Sequence, residues 1–462
     1  MWYEIGIPKA PVDLVKPGLI AEMAKSQKIP SPARNRSTRK KLAFSALLLL
    51  IVVLSLEFLL HGLCAVVPRA ARLLEPESAF ADESPRVDDA ILGHRPRPGF
   101  GDHDSRGFRN RVALDKAEIV CMGDSQTYGS GVASDEAWPQ QLSSMCRRSV
   151  YNMACPGWGP IHSEALLNEA LALQPELVIE GFYSGNDLCD CYSMVTRRQM
   201  SPGDLTVDPE LKARIDEAEE REPLEEKVSK LIRVYRGHFS ADEAGVPTSG
   251  GQPNVPTPST IRRLLSEHSR LYGLGRAIKT RILQAAERRD SAAQWERLRA
   301  KSAASGGKWE VFEAQHIRTI FVPEYRLVSL QMDDPRIQAG HHWAKEAIVA
   351  IDRRLAQGGV PFLVALIPTK ELVFYPELDA PSSSFSEVVN NEIQMWAETK
   401  TFFEARGVPF VDTLPALRDA LKNGNQPFPI SADGHPNSHG QKVIAEVVFR
   451  WIRENREAPP RN

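Results

Sequence analysis

Short, almost unbroken apolar runs alternate with longer amphipathic ones over much of the chain. AEIVCM (117–122), SVYNM (149–153), LVIEGF (177–182), PFLVALI (361–367) and PFV (409–411) have the composition of strands covered on both faces of a parallel sheet. Between them, SEALLNEALALQ (163–174), WAKEAIVAIDRRLAQ (343–357) and GQKVIAEVVFRWIREN (440–455) repeat apolar positions at helical spacing. Strands alternating with helices in this way predict a three-layer α/β fold.

Two stretches break the rhythm. From about 196 to 340 the chain turns polar: RIDEAEEREPLEEKVSK (214–230) is a charge run and GVPTSGGQPNVPTPST (245–260) a Pro/Gly/Ser/Thr loop. TIRRLLSEHSRLYGLGRAIKTRILQ (260–284) has the spacing of an amphipathic helix. Together they predict a helical insertion in the α/β domain, with the charge run forming a solvated helix face.

The other break is near the N-terminus. LAFSALLLLIVVLSL (42–56) is uncharged, and apolar character continues through EFLLHGLCAVV to Val67. The combined segment exceeds the roughly 20 residues that span a bilayer. Arg34, Arg36, Arg39, Lys40 and Lys41 precede it, while Arg69 and Arg72 follow more sparsely. That asymmetry predicts a cytoplasmic tail (1–41), a single-pass anchor (42–67) and an extracytoplasmic remainder. A 41-residue leader is too long for a cleaved signal peptide. The remainder then divides into a linker (68–112), a first part of the domain (113–195), the insertion (196–340) and a second part (341–456).

Composition adds little beyond exclusions. A formal net charge of −2 over 462 residues gives no reason to expect a nucleic-acid partner. The cysteines at 64, 121, 146, 155, 189 and 191 fall in or beyond the anchor, where disulfides are permitted. They form no Cys-x-x-Cys pattern that suggests zinc or redox chemistry, and their spacing fixes no pairing.

The chemistry gathers at one edge of the expected sheet. Gly123-Asp124-Ser125 ends the first strand, and ligands of open parallel sheets bind beyond the carboxyl ends of the strands. NMACPGWG (152–159) follows the second strand, FYSGNDL (182–188) the third, and SADGHPNSHGQKVIAE (431–446) leads into the last helix. A serine hydroxyl becomes a nucleophile when a base takes its proton and donors stabilise the oxyanion. His435 is the candidate base. Asp433, two residues earlier and on the same face of an extended backbone, is its candidate orienting group. The N–H groups of Ser125 and Gly157 and the Asn186 side chain are candidate oxyanion donors. Lys370 and Trp158, on the same edge, are candidate substrate contacts. A surface ion pair with Glu371 is the plainer reading for Lys370, and a core position for Trp158.

Together these blocks resemble the SGNH (GDSL) hydrolase superfamily. Gly123-Asp124-Ser125-Gln126-Thr127-Tyr128-Gly129 matches its first block, Gly157 its second, Asn186-Asp187 its third, and Asp433 with His435 its last. The resemblance spans about 113–195 and 341–455. It implies a flavodoxin-like sandwich with Ser125 as nucleophile, His435 as base, and Ser125, Gly157 and Asn186 as the oxyanion hole. GHRPRPGFGDHDSRGFRN (93–110) and ALIPTKELVFYP (365–376) are similar to stretches of membrane-anchored bacterial members. Some of these modify surface polysaccharides, the alginate O-acetylation proteins among them. Two positions depart from the common pattern. Ser184 stands where the third block often has glycine, and Asp433 and His435 are two apart where many members have three.

A metal site at Asp433, His435 and His439 is disfavoured because Pro436 prevents the helix that would align the two imidazoles. His439 fits better in the first turn of the last helix, capped by Asn437, and His341-His342 reads as a helix start. The implied chemistry needs no cofactor and no metal. Three readings follow: an esterase acting through an acyl-enzyme on a carbohydrate or other small ester, an O-acetyltransferase of a cell-surface polysaccharide, and a non-catalytic glycan-binding or assembly component.

Overall fold

The structure, a computed structural model, describes residues 36–66, 84–198, 208–236, 269–272, 274–275, 291–306, 308–314, 317–379 and 381–455. Most of the expected cytoplasmic tail, the loop at 245–260 and most of the amphipathic stretch at 260–284 lie outside these residues. Two units divide the chain: Met1–Pro76 with His268–Ala277, and Glu77–Glu267 with Ile278–Asn462. The first contains helix α1 (Arg36–Val66). Its segment Phe44–Leu63 has a mean hydropathy of 2.4 and is long and apolar enough to cross a membrane.

The second unit opens with an antiparallel hairpin, β1 (Arg86–Asp89) and β2 (Gly93–Pro96). There follow β3 (Ile119–Gly123), α2 (Ser125–Tyr128), α3 (Trp138–Cys146), β4 (Val150–Asn152), α4 (Pro160–Ala172), β5 (Leu177–Tyr183) and α5 (Asp187–Arg198). The polar stretch holds α6 (Pro209–Arg221), α7 (Leu224–Arg236), α8 (Ser291–Ala304), β6 (Glu310–Ala314), β7 (Ile317–Phe321) and α9 (Pro323–Leu330). The chain closes with α10 (Pro335–Gln357), β8 (Phe362–Ile367), α11 (Lys370–Phe374), α12 (Ser383–Arg406), β9 (Phe410–Asp412), α13 (Leu414–Lys422) and α14 (Ser438–Asn455).

All five expected strands form one parallel sheet in the order β4-β3-β5-β8-β9. This is the flavodoxin-like doubly wound order, whose switch point lies between β3 and β5. Alternate residues of each strand feed different faces. Val120, Met122, Val178, Phe182, Val364 and Leu366 pack with α4, α5 and α10 on one side. Ile119, Cys121, Ile179, Leu363, Ala365 and Ile367 pack with α3, α11 and α14 on the other. One acid sits inside this sheet. Glu180 in β5 is fully buried and accepts a hydrogen bond from Ser163 at 3.0 Å. Burial lifts its pKa to about 8, so it is neutral at pH 7 and the strand tolerates it.

Three sequence expectations need correction. The insertion is not purely helical, because β6 and β7 form an antiparallel hairpin. The alternation of part-buried and exposed residues in EVFEA is the period-two signal that marks it. Next, α10 begins at Pro335, where Asp334 accepts from the Arg336 N–H at 3.0 Å, so His341 and His342 lie inside the helix. Finally, residues 84–112, read as linker, pack onto the domain as a collar. Arg86 donates to Pro156 O at 2.7 Å, and Arg109 to Gly129 O at 2.6 Å and Val132 O at 2.8 Å. Tyr151 donates to Asp104 at 2.6 Å. Among the described residues, Cys121, Cys146, Cys155 and Cys191 are free thiols.

Candidate active site

The turn after β3 is set by Gly123, whose φ is +139°. A Cβ there would come within 2.7 Å of both Gly181 O and Thr127 Oγ1. Asp124 then caps the single turn α2, accepting from the Gln126 N–H at 2.8 Å. This leaves Ser125 5 % exposed at the switch point of the sheet. Residues 431–437, irregular backbone between α13 and α14, carry His435 to it from the far end of the chain. His435 Nε2 lies 2.9 Å from Ser125 Oγ, and Nδ1 lies 2.6 Å from Asp433 Oδ1.

The two-residue spacing of Asp433 and His435 has a local cause that differs from the extended strand expected. Asp433 Oδ1 also accepts from the His435 backbone N–H at 3.0 Å, closing an Asx turn. One carboxylate oxygen therefore holds both the main chain and the ring of the same histidine. A donor at Nδ1 fixes the tautomer in which Nε2 can accept the serine proton.

The charges reinforce one another. Burial pushes the His435 imidazole down, but the Asp433 charge and hydrogen bond outweigh it, leaving the pKa above its ordinary value. Burial raises Asp433, yet the His435 charge and the hydrogen bonds from that residue bring it below the usual carboxylate value. Ser125 Oγ has a second acceptor, Asp124 Oδ2 at 3.2 Å, which the sequence reading missed. Burial lifts Asp124 to about 6 against the pull of the Gln126 N–H and His435. A hydroxyl has one proton. Neutral His435 can receive it, whereas protonated His435 donates to Oγ and turns that proton toward Asp124.

The candidate oxyanion donors come from the neighbouring loops. Gly157 has a φ of +81°, a conformation that favours glycine, and His94 and Arg86 lie 3.8–3.9 Å from where its Cβ would be. Asn186 follows β5, and its Nδ2 donates to Asp190 Oδ2 at 2.5 Å, which uses one of its two N–H bonds. A cavity of about 220 Å³ opens beside both residues, walled by Arg86 and His94 of the collar and by Val228 and Ser229 of α7. The insertion thus forms part of the wall of this cavity. The departure at Ser184 also has a physical basis. Its hydroxyl donates to the buried Glu392 of α12, which accepts from the Thr369 N–H at 2.8 Å as well, and this ties the ends of β5 and β8 together.

The two expected substrate contacts are not in the cleft. Trp158 is 1 % exposed; its indole donates to His94 O at 3.1 Å and its ring stacks on His162. Lys370 is also 1 % exposed, with its ammonium turned into the protein, so it is neither a surface ion pair nor a substrate contact. Asn437 does cap the last helix, accepting from the Gly440 N–H at 3.0 Å. Sequence reading also missed Arg326 of α9. It donates to Gly185 O at 2.9 Å, beside Asn186, and lies 3.7 Å from Glu371.

Residues 329–462 match the family described as ALGX: SGNH hydrolase-like domain, acetyltransferase AlgX. Over that range the chain matches an SGNH hydrolase-like domain. The matched range contains Asp433 and His435, while Ser125, Gly157 and Asn186 precede it. A solved structure of a G-D-S-L family protein from Desulfitobacterium hafniense DCB-2 is similar at 11 % identity and a TM-score of 0.31, covering 72 % of this chain and 99 % of that one. No curated protein matches the chain.

Proposed function

We propose that the chain is a membrane-anchored serine acyl-transfer enzyme that moves an acyl group, through an ester on Ser125, to a hydroxyl of a carbohydrate outside the cytoplasm. The observation that carries the acyl-enzyme is the relay of Ser125 Oγ, His435 and Asp433 at 2.9 and 2.6 Å. His435 Nε2 takes the Ser125 proton as Oγ attacks the acyl carbonyl of the donor. The oxyanion that forms is met by the Gly157 and Ser125 N–H groups and the second N–H of Asn186. The tetrahedral intermediate collapses, and the imidazolium returns its proton to the departing alkoxide. A second hydroxyl, deprotonated by His435, then attacks the acyl-Ser125 and regenerates the serine.

Two observations support a carbohydrate as acceptor: the match to a family described as an acetyltransferase, and the likeness of 93–110 and 365–376 to membrane-anchored bacterial members, some of which modify surface polysaccharides. The apolar helix and the basic residues before it support an extracytoplasmic site. Water in place of the sugar gives ester hydrolysis, the reading that the four sequence blocks favour on their own. The intact relay weighs against a purely glycan-binding role.

Purified protein given an activated acetyl ester, with and without neutral and anionic oligosaccharides, separates these readings. Acetylated sugar detected by mass spectrometry is the expected product. Free acetate alone, at a rate no oligosaccharide changes, makes the protein a hydrolase. No consumption of the ester under any of these conditions removes both readings and leaves a binding component. Within the same assay, Asn186→Ala should lower kcat by about 10²–10³-fold, the usual cost of one oxyanion donor. A fall below tenfold would remove Asn186 from that role.

A further inference from the structure

Lys370 heads α11 at the end of β8, with its side chain directed inward. Its Nζ lies 2.6 Å from Ser431 O, 3.2 Å from Ile320 O, 3.3 Å from Pro429 O and 3.3 Å from Asp433 O. It also stands 5.5 Å above the ring of Phe321. An ammonium has three N–H bonds, so the four oxygens share them. Three of these oxygens belong to residues 429–433, where no helix or strand supplies backbone partners. A buried ammonium is costly unless it is hydrogen-bonded, and an apolar side chain could fill this volume without that cost. A polar group buried here therefore needs a reason, and the irregular carbonyls that accept from it provide it.

The geometry points to Lys370 as a positioning residue that fastens the main chain of Ser431 and Asp433 so that His435 meets Ser125 in line. This rests on the acyl-transfer reading above. The contact at Asp433 O is the informative one, because Asp433 also holds the His435 ring through its side chain. Releasing the carbonyls lets Asp433 and His435 drift together. Their mutual hydrogen bond survives while the distance to Ser125 Oγ grows. The loss should therefore appear in the chemical step and not in substrate affinity.

The test uses the full-length chain in detergent with Lys370→Gln, which keeps two neutral donors, and Lys370→Met, which keeps none. Active sites are counted by the burst of an activated ester, and turnover is expressed per counted site. Positioning predicts a kcat per site lower by about 10- to 100-fold, the scale of an ångström's misplacement, with KM within about threefold and the larger loss in the methionine variant. Wild-type turnover per counted site, with only the number of sites reduced, would mean that Lys370 merely supports the fold and would overturn the inference. Hydrogen exchange gives a second readout that needs no activity. The amides of residues 430–435 and 437 should exchange faster in both variants while those of β3, β5 and β8 keep their rates. Equal exchange at 430–435 and 437 would overturn the inference even if the unaltered chain transferred no acyl group, a result that would by itself count only against the proposed function.

Discussion

Ser125→Ala leaves a folded protein whose acyl transfer is lower by at least about 10⁴-fold, and adding His435→Ala to it makes activity no worse. Removal of the nucleophile deletes the covalent step itself, so the base has nothing left to deprotonate. His435→Ala alone should reach a similar floor, because Ser125 Oγ then keeps only Asp124 Oδ2 as an acceptor. Steady-state rates of the three variants, with folding checked by circular dichroism, decide the matter. Independent, multiplying losses would show that the two residues do not act as one unit. A Ser125→Ala protein retaining a tenth of the activity would move the chemistry elsewhere.

Asp433→Asn should lower kcat by about 10⁴-fold, the scale seen when a relay acid is replaced by its amide. The amide can still accept from the backbone N–H of His435, so the Asx turn survives, but it no longer holds the imidazole in one tautomer. The pH profile gives a separate sign. His435 acts as a base only when neutral, and its pKa stands above the ordinary histidine value. Activity of the unaltered enzyme should therefore rise with pH through an apparent pKa above about 6.5. Asp433→Asn removes the charge that opposes the effect of burial, so the acid limb should move to lower pH while the plateau falls. A limb that stays in place would mean that Asp433 does not set the His435 titration.

The sheet was legible in the sequence because its strands lie between two helical layers and so had to be almost continuously apolar, Glu180 being the buried exception. The relay was legible for a related reason. A loop that follows a strand of a parallel sheet opens on the carboxyl edge, so four blocks read as post-strand loops or as the approach to the last helix had to converge. What remained hidden depends on contacts between distant positions. Lys370 follows a strand in sequence just as Asn186 does, but carbonyls 50 to 63 residues away draw its ammonium inward. Trp158 is adjacent to a site glycine, yet its faces are occupied by His162 and by the collar. The Asp433–His435 spacing looked like extended backbone because the side-chain hydrogen bond that bends it has no sequence period. The β6–β7 hairpin was missed in a stretch whose polarity suggested only solvated helix.

The collar determines where a soluble version of this protein has to begin. Cutting at residue 113, where the sequence pattern places the start of the domain, would discard Arg86, Asp104, Arg109 and Asn110. The carbonyls of Pro156, Gly129 and Val132 would lose their guanidinium partners, and the Tyr151 hydroxyl its carboxylate. Such a fragment could keep its five strands and still have slack loops on either side of the nucleophile. A recombinant form starting at Ser84 omits the apolar helix and retains every one of these fastenings.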